Sequence, residues 1–373
     1  TATTDSAVIA AADVVVTCVP TPLASDGGPD LGAVIGATRD IAANLRKGTL
    51  VVLESTTYPG TTEEVCLPIL ESSGLKAGTD FDLAFSPERI DPGNKVYTIT
   101  TTPKVVGGMT PTATKRASDF YGRFVSQVVV AKGTREAELA KLLENTYRHV
   151  NIALVNELAL LCERMGLDVW EVIDGAATKP FGFMPFRPGP GVGGHCIPVD
   201  PYYLAWRARE FDFVDRFVEL AGDINLAMPR HVVDLVAEAL NEHGKALKGA
   251  RVGVLGVAFK PNVRDPRNSP AADILALLAG RGAEPVFHDP HVARFTDTDG
   301  TTRVSEPLEA ILDGSDVVLV VTAHRAIDWD LVYRRAPLVV DTTNSSRGRA
   351  VRERGVLRLG AGWSGAPRLD PGR

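Results

Sequence analysis

Ala12-Asp-Val-Val-Val-Thr17 is a short, largely apolar stretch that leads through Cys18 and Val19 into the turn Pro20-Thr21-Pro22. Continuous β-branched runs of this kind are typical of strands buried inside parallel sheets. Ser315-Asp-Val-Val-Leu-Val-Val-Thr322 repeats the pattern near the other end of the chain. The repetition predicts two similar α/β domains.

The first of these domains is predicted from strands that alternate with helices. A helix is expected at Leu31–Leu45, and strands at Val14–Val19, Leu50–Leu53, Ala84–Phe85, Val105–Gly108 and Val128–Val130. Such alternation indicates a parallel α/β sheet, whose ligand lies beyond the carboxyl ends of the strands. The segments 19–22, 54–58 and 86–92 are therefore expected to line one crevice.

The middle of the chain changes to a helical period. Leucines recurring at three and four residues predict a long helix over Glu136–Met165, followed by a short helix, a Pro/Gly loop, and a helical block over Pro201–His243. Pro229 is expected to begin the last of these helices. The α/β pattern resumes at Arg251, with a strand and a Gly turn. The division expected is 1–133, 134–243 and 244–373, with a loose tail after Gly360.

The composition limits the classes of partner. The net charge is −6 over 373 residues, and there is no long block of like charge, which argues against nucleic acid or an anionic membrane. No apolar run reaches the roughly 18 residues of a spanning helix, and no signal-peptide pattern is visible. The four cysteines have no metal-type spacing, so we expect reduced thiols in the cytoplasm and no metal site.

The loop Pro188–Asp200 carries the clearest functional signal. Four glycines and three prolines exclude a regular element and favour a loop that wraps a ligand, with the Cys196 thiol near its end. A surface loop with an incidental cysteine is the plain alternative. His195 is adjacent to Cys196, and neighbouring side chains of an extended loop point apart, which disfavours a Cys–His pair.

Several other side chains have both a functional and a plain interpretation. Lys141 and Asn145 lie four residues apart on one helix face, where they serve either a site or solvent. Lys260 could meet a phosphate or simply face solvent. Asp265 and Arg267 could form a local ion pair.

Taken together and in order, these segments resemble the UDP-glucose/GDP-mannose dehydrogenase family. The matching segments are Cys18–Pro22, Glu54–Pro59, Ser86–Arg89, Glu138–Lys141 with Asn145, Gly193–Cys196 with Asp200, and Gly256–Lys260 with Asp265 and Arg267. The resemblance extends over roughly 1–344. Ala177–Phe186 and Cys196–Leu204 resemble the branch that oxidises UDP-N-acetylhexosamines.

Two departures from the family pattern stand out. No strand with Gly-x-Gly-x-x-Gly precedes Val14, so we expect an N-terminally truncated first domain that binds NAD less tightly than a UDP-sugar. The family's Asp-Thr-Arg-Asn reads Asp341-Thr-Thr-Asn344 here, which leaves open whether Arg347 replaces its arginine.

The resemblance implies four-electron oxidation of a sugar C6 alcohol to a uronate with NAD as cofactor. The catalytic residues it implies are Cys196 as nucleophile, Lys141 and Asn145 for the oxyanion, Asp200 and Thr57 around a water, and Glu88 in thioester hydrolysis. The cofactor contacts it implies are Val19, Thr21, Pro22, Thr56 and Arg267. The substrate contacts it implies are Glu88, Arg89, Lys141, Asn145, Lys179, Arg187, Gly191, Gly193, Phe259 and Lys260.

The resemblance further implies a UDP-sugar held by the C-terminal domain. It also implies a homodimer formed through helix 136–165, with Lys179 supplied by the partner subunit. Alternatives remain for the function: UDP-glucose or UDP-N-acetylmannosamine as substrate, or a non-catalytic truncated fragment that only binds sugar nucleotide.

Overall fold

The computed structural model describes residues 2–24, 27–91, 94 and 96–365. In the first part of the chain the elements are β1 (Val14–Thr17), α1 (Gly32–Asn44), β2 (Leu50–Leu53), α2 (Leu67–Glu71), β3 (Asp82–Phe85), β4 (Lys104–Gly108), α3 (Pro111–Tyr121), β5 (Val128–Val130), α4 (Thr134–Met165), α5 (Val169–Ala177), α6 (Asp200–Arg209) and α7 (Arg216–Glu242). The remaining elements are β6 (Arg251–Leu255), α8 (Pro270–Gly280), β7 (Glu284–His288), β8 (Arg294–Thr296), β9 (Thr302–Val304), α9 (Leu308–Gly314), β10 (Val317–Val320), α10 (Trp329–Arg335), β11 (Val339–Asp341), β12 (Val356–Arg358) and β13 (Gly362–Trp363).

The first of two compact units comprises Thr1–Tyr147 and Val199–Arg216. Its sheet has the order β1-β2-β3-β4-β5. β1, β2 and β3 are parallel and pair in register, so that their carboxyl ends meet at one edge. β4 runs antiparallel to β3, which corrects the expectation of a wholly parallel sheet. β5 is parallel to β4.

The core of the first unit follows the alternation of side chains along β2. Leu50 and Val52 pack with Ala117 and Tyr121 of α3 on one face of the sheet. Val51 packs on the other face with Ile41 of α1 and with α2. Because all four residues of β2 are buried, the strand needs apolar side chains in both directions, and this explains its unbroken Leu-Val-Val-Leu sequence.

The second unit comprises Arg148–Pro198 and Phe217–Arg373. Its sheet has the order β13-β12-β11-β10-β6-β7 and is parallel except for β13. β8 and β9 form a separate antiparallel pair. β13 lies at Gly362–Trp363, so the expected loose tail after Gly360 is wrong for this part of the chain. Gly362 has φ +72°, a conformation that glycine adopts without a steric penalty.

The sheet of the second unit is covered on both faces. Val252 and Val254 of β6 pack with α7 and α8, whereas Leu255 and the β10 residues Val318 and Val320 pack with α9 and α10. Local signals position α8: Ser269 caps its first turn by accepting from the N–H of Ala271, and Pro270 occupies the position where a missing N–H costs nothing.

Helix α7 corrects one sequence expectation. Pro229 was expected to begin a helix, but it lies buried in the interior of α7. A proline there removes one helical hydrogen bond, at a cost of about 3 kcal/mol. Val232, Val236 and Leu240 are fully buried in the core that covers the second sheet, and burying each contributes about 1.5–3 kcal/mol. Tertiary packing therefore outweighs the local preference.

The expected architecture is otherwise confirmed: the chain is α/β, with two mainly parallel sheets and a run of helices between them in sequence. The long helix predicted at Glu136–Met165 is α4, which begins two residues earlier. Within the described residues, no helix has the length and apolar character needed to span a membrane.

Candidate active site

The carboxyl edge of the first sheet gathers the segments that the sequence singled out. β1, β2 and β3 end at Thr17, Leu53 and Phe85, and the segments 18–22, 54–57 and 86–89 follow directly. Of the expected segment 86–92, Pro92 lies outside the described residues. This edge therefore carries Val19, Thr21, Pro22, Thr56, Thr57, Glu88 and Arg89.

Hydrogen bonds fix the turn that follows β1. The N–H of Val19 donates to Oγ of Ser55 at 2.8 Å, and that hydroxyl lies 2.9 Å from the carbonyl oxygen of Val19. The hydroxyl of Tyr203 donates to the carbonyl oxygens of Thr21 and Pro22. Tyr203 is fully buried on α6, so this turn is held by a helix remote in sequence.

A nearly buried ionic cluster lies next to these strand ends. Glu54 pairs with Lys104 at 2.8 Å, accepts from the Tyr121 hydroxyl, and lies 3.6 Å from the Cys18 thiol. Partial burial, reinforced by the charge of Glu54, raises the pKa of Cys18 to about 11. Because the thiolate is the reactive form of cysteine, this thiol is a poor nucleophile at neutral pH.

Lys141, Asn145 and Asp200 form a buried polar group in this unit. Lys141 and Asn145 occupy one face of α4, and the amide nitrogen of Asn145 donates to Oδ2 of Asp200 at 2.6 Å. The three side chains are 7%, 6% and 3% exposed. Burial raises the pKa of Asp200 to about 7, against the opposing effects of the Lys141 charge and the Asn145 hydrogen bond.

Thr57 also suits a ligand-binding edge. The residue is fully buried, and its hydroxyl has no hydrogen-bond partner among the described residues. A buried hydroxyl without a partner costs free energy unless a water or ligand completes it.

Glu88 and Arg89 make contacts within the first unit. Glu88 accepts from the N–H of Ile90, as expected of a residue in a turn. Arg89 pairs with Glu144 at 2.7 Å and donates to the carbonyl oxygen of Pro103 at 2.7 Å. Both side chains are half-buried.

The loop that carries Cys196 belongs to the second unit and packs on Phe259. A Cβ on Gly193 or Gly194 would lie 3.0 Å or less from atoms of Phe259 or the nearby chain, so the close approach requires glycine. The His195 ring meets Phe259 edge-on at 6.1 Å, and Asn268 donates to the Gly194 carbonyl oxygen at 3.0 Å. Cys196 itself is half-buried.

Arg267 forms the local ion pair that its spacing allowed. Its guanidinium donates to Asp265 at 2.6 Å and 2.9 Å. The hydrogen bond to Asp265 is the main cause that raises the pKa of Arg267, and the charge of Cys196 is a minor one. A guanidinium within electrostatic reach of the thiol favours the thiolate.

Of the remaining substrate candidates of the second unit, Lys179 and Arg187 are exposed, and Gly191 and Lys260 are half-buried. Arg187 and Arg347 both pair with Asp174, Arg347 at 2.5 Å. The Lys179 ammonium lies 4.8 Å from the ring centre of Phe181. Gly191 has φ +132°, with Pro270 beside it. Lys260 follows Phe259 directly after the β6 turn.

Comparisons with known proteins identify the chain. Profiles of the UDP-glucose/GDP-mannose dehydrogenase family match its NAD binding domain at residues 1–125, its central domain at 135–227 and its UDP binding domain at 253–347. A UDP-N-acetyl-D-glucosamine 6-dehydrogenase of Pseudomonas aeruginosa is 39% identical over 316 residues, which cover 84% of this chain and 74% of that protein. The chain belongs to the UDP-glucose/GDP-mannose dehydrogenase family.

Solved structures agree with the family. The structure of the UDP-D-ManNAc dehydrogenase from Pyrococcus horikoshii has a TM-score of 0.84 and 33% identity, and the match covers 96% of this chain and 84% of that one. A UDP-glucose dehydrogenase from Pyrobaculum islandicum has a TM-score of 0.82 and 29% identity, with 97% and 83% covered. The predicted family, fold and enzyme class are thereby confirmed: the chain is a nucleotide-sugar dehydrogenase that uses NAD.

The first unit of this family member fits the cofactor. Hydrogen bonds hold the turn after β1, and the buried Thr57 hydroxyl can accept a hydrogen bond from a ligand or water, or donate one, at the edge where three parallel strands end. Ligands of doubly wound sheets bind at this edge.

Sequence reasoning missed two residues whose hydrogen bonds hold segments that are remote in sequence. Glu138 is fully buried and accepts from the N–H groups of Gly60 and Thr62. Tyr203 anchors the turn after β1. Both lie inside segments that carried the resemblance, and a buried acid in an apolar helix face was the only signal that could have revealed Glu138.

Proposed function

We propose that this chain oxidises the C6 alcohol of a UDP-N-acetylhexosamine to the uronate through a covalent intermediate on Cys196. The supporting observation is a half-buried thiol in a glycine loop, with the Arg267 guanidinium in electrostatic reach. The UDP-N-acetyl-D-glucosamine dehydrogenase of Pseudomonas aeruginosa supports the substrate class. UDP-N-acetylmannosamine is the second candidate, favoured by the Pyrococcus structure, and UDP-glucose is the third, favoured by the Pyrobaculum structure.

In this proposal the C6 alcohol first loses a hydride from carbon and a proton from oxygen, which gives the aldehyde. The Cys196 thiolate then adds to the C6 aldehyde and forms a carbon–sulfur bond, and the oxygen takes a proton to give a thiohemiacetal. Oxidation of that adduct gives a thioester. Water then attacks the thioester carbonyl, the carbon–sulfur bond breaks, and the thiolate is regenerated with the acid. Bound NAD⁺ supplies the hydride acceptor for both oxidations.

The polar residues of the first unit are assigned by their chemistry. Lys141 and the second N–H of the Asn145 amide stabilise negative charge on the C6 oxygen. Asp200 takes a proton, since a pKa of about 7 suits a base that works at neutral pH. Thr57 orients the attacking water, and Glu88 assists hydrolysis.

The binding residues keep the roles that the resemblance implies. For NAD these are Val19, Thr21, Pro22, Thr56 and Arg267. For the UDP-sugar they are Glu88, Arg89, Lys141, Asn145, Lys179, Arg187, Gly191, Gly193, Phe259 and Lys260. We propose the domain division 1–133, 134–243 and 244–373, which the three profile matches support.

We further propose that two copies associate through α4. Several of its apolar side chains are at least 40% exposed: Leu139, Leu143, Leu154, Leu161 and Met165. Their burial against a second copy accounts for their apolar character. Light scattering of Leu143→Glu should report a monomer where the unchanged protein is a dimer. The cytoplasm remains the proposed compartment, consistent with four cysteines that form no disulfide.

The experiment that tests the mechanism is Cys196→Ser in the complete enzyme, with mass spectrometry of the products. We expect no uronate, since an alkoxide equivalent to the thiolate is not formed by serine at neutral pH. Cys162→Ala is the matched control, because that thiol is buried among apolar side chains of the second unit. Normal uronate formation by Cys196→Ser would remove Cys196 from the mechanism. Comparing kcat/KM for the three UDP-sugars decides the substrate.

A further inference from the structure

The inference concerns Glu138, a fully buried acid to which the proposed mechanism assigns no role. Its Oε2 accepts from the N–H of Gly60 at 2.6 Å. Its Oε1 accepts from the N–H and the hydroxyl of Thr62 at 2.9 Å and 2.7 Å. All three donors belong to one short segment that follows β2.

Glu138 shares a helix face with two proposed catalytic residues. Lys141 and Asn145 follow it on α4 by three and seven residues, and residues at these spacings project from the same side of a helix. The carboxylate is therefore attached to the element that carries the oxyanion donors.

The segment that Glu138 holds also carries a proposed catalytic residue. Thr57 lies three residues before Gly60, and a turn in which the Thr61 hydroxyl donates to the Tyr58 carbonyl oxygen at 2.7 Å joins them. Gly60 has φ +107°, so the chain turns sharply at the point where its N–H meets Glu138. A displacement at Gly60 or Thr62 is thus transmitted to Thr57 over few bonds.

The segment that Glu138 holds also makes an ion pair that is more exposed to solvent. Arg207 of α6 pairs with Glu64 at 2.6 Å and 2.7 Å, but Glu64 is about one-third exposed. Solvent screens such a pair, whereas it does not reach the buried carboxylate of Glu138. Glu63 of the same segment accepts from the Thr134 hydroxyl at 2.6 Å and pairs with Arg135 at 2.8 Å, and it is also about one-third exposed. Among these acids, Glu138 alone is fully buried.

We propose that Glu138 is a positioning residue that holds the Thr57 segment against the α4 face bearing Lys141 and Asn145. The inference rests on the proposed function, because it assigns Glu138 to the geometry of that reaction. Glu138 touches neither substrate nor cofactor in this role. Burial raises the pKa of Glu138 to about 7, against the hydrogen bonds that the N–H groups of Gly60 and Thr62 and the Thr62 hydroxyl donate to it.

The test is Glu138→Gln in the complete enzyme. The side-chain amide of Gln replaces one carboxylate oxygen by an NH₂ group, which cannot accept a hydrogen bond. One of the two backbone N–H groups that donate to Glu138 therefore loses its acceptor. We expect kcat to fall about 10- to 100-fold, since small misplacements of catalytic groups have effects of this size. KM for the UDP-sugar should change less than about twofold, because the binding contacts are untouched.

Hydrogen exchange supplies a readout that does not depend on turnover. In Glu138→Gln the amide proton that loses its acceptor, that of Gly60 or that of Thr62, should exchange about tenfold faster, as expected for one lost hydrogen bond. Asp82→Asn is the matched control: Asp82 is a buried acid of the same unit, paired with Arg116 at 2.6 Å at the start of β3. It should lower the melting temperature while leaving kcat and the exchange of both amides unchanged.

Thr62→Val keeps the inference testable if Glu138→Gln does not fold, since it removes only the hydroxyl contact and should lower kcat about threefold to tenfold. Full kcat in Glu138→Gln or in Thr62→Val overturns the proposal, and so does a kcat loss of the same size in Asp82→Asn. Absence of uronate with the unchanged enzyme overturns the proposed function and the catalytic part of the inference. Hydrogen exchange would then still decide whether Glu138 holds the segment.

Discussion

Replacing Asp200 by Asn should make the protein more stable at neutral pH while it abolishes turnover. Asp200 is 3% exposed, and burial is the main cause that raises its pKa from the ordinary 3.8 to about 7. At about 1.4 kcal/mol per pH unit, the ionised side chain costs the folded state about 4 kcal/mol. Asn has nearly the same shape, carries no charge, and can still accept from the Asn145 amide.

The pH dependence of this gain has a definite sign. Between pH 3.8 and 7 the folded state of the unchanged protein binds one more proton at Asp200 than the unfolded state does. Its stability therefore falls with rising pH across that window and levels off above about pH 7. The variant has no such dependence at this position. We expect the difference between the two proteins to approach zero below pH 4 and to reach about 4 kcal/mol above pH 7.

Urea unfolding at several pH values between 4 and 8, followed by circular dichroism, measures this difference. At pH 4 the Lys141 charge lies beside an uncharged side chain in both proteins, namely the introduced amide in the variant and protonated Asp200 in the unchanged protein. The effect of that charge on the free energy of unfolding is therefore the same in both. A variant that is equally or less stable than the unchanged protein at pH 7.5 would refute the claim that burial opposes ionisation of Asp200. Uronate production at the normal rate by the variant would refute its role as base.

Three further predictions test other parts of the structure. The kcat of the enzyme should fall as pH drops through about 7, because Asp200 must be ionised to accept a proton, and a flat profile from pH 5.5 to 8 would contradict this. Lys260→Ala should raise the UDP-sugar Kd about tenfold or more by calorimetry, since a charge-assisted contact contributes about 1.5–3 kcal/mol, while the NAD Kd stays the same. Burial tends to raise the pKa of Asp289, but hydrogen bonds from His324 and from backbone N–H groups outweigh it and lower that pKa to about 2. Asp289→Asn should therefore lower the free energy of unfolding by about 2 kcal/mol above pH 4. Urea unfolding should show that difference disappearing as the pH falls from 3.8 towards 2.

Elements whose local signals agree with their burial could be predicted from the sequence. β2 was predicted at its observed bounds, because Leu50–Leu53 is buried on both faces and all four of its residues are apolar. α4 was predicted within two residues, because its leucines recur at helical spacing. The direction of β4 could not be predicted, since antiparallel pairing with β3 leaves no trace in the apolar run Val105–Gly108.

Pro229 shows where local preference fails. Its missing N–H leaves the Asn225 carbonyl oxygen without the usual helical donor. That oxygen lies 3.5 Å from where a Cβ would stand on Gly191, in the loop that leads to Cys196. The helix continues because its following residues are buried in the core. Neither the burial nor the approach of the loop can be inferred from residues near 229.

The candidate site was predictable where spacing alone creates proximity. Lys141 and Asn145 share a helix face, and Asp265 with Arg267 forms the ion pair that two residues of separation permit. The partners of Glu138 were not predictable, because they are backbone N–H groups 76 and 78 residues away, and backbone groups have no sequence signature.

The second sheet has a glycine turn in the position where such turns commonly receive a phosphate, yet this turn already holds an anion. Oδ2 of Asp289, which follows β7, accepts from the N–H groups of Val257 and Ala258 at 2.7 Å and 3.2 Å. His324 meets the same oxygen at 3.0 Å, and both side chains are almost completely buried. Donors that turns of this kind offer to a pyrophosphate are thus taken by the protein's own carboxylate. We therefore expect a UDP-sugar to be bound through side chains such as Lys260 instead of through this backbone turn. For this reason Lys260→Ala should weaken UDP-sugar binding, whereas Asp289→Asn should act on stability and leave the UDP-sugar Kd within about twofold. A large rise in that Kd for Asp289→Asn at pH 7, in a folded protein, would show that the turn itself receives the ligand.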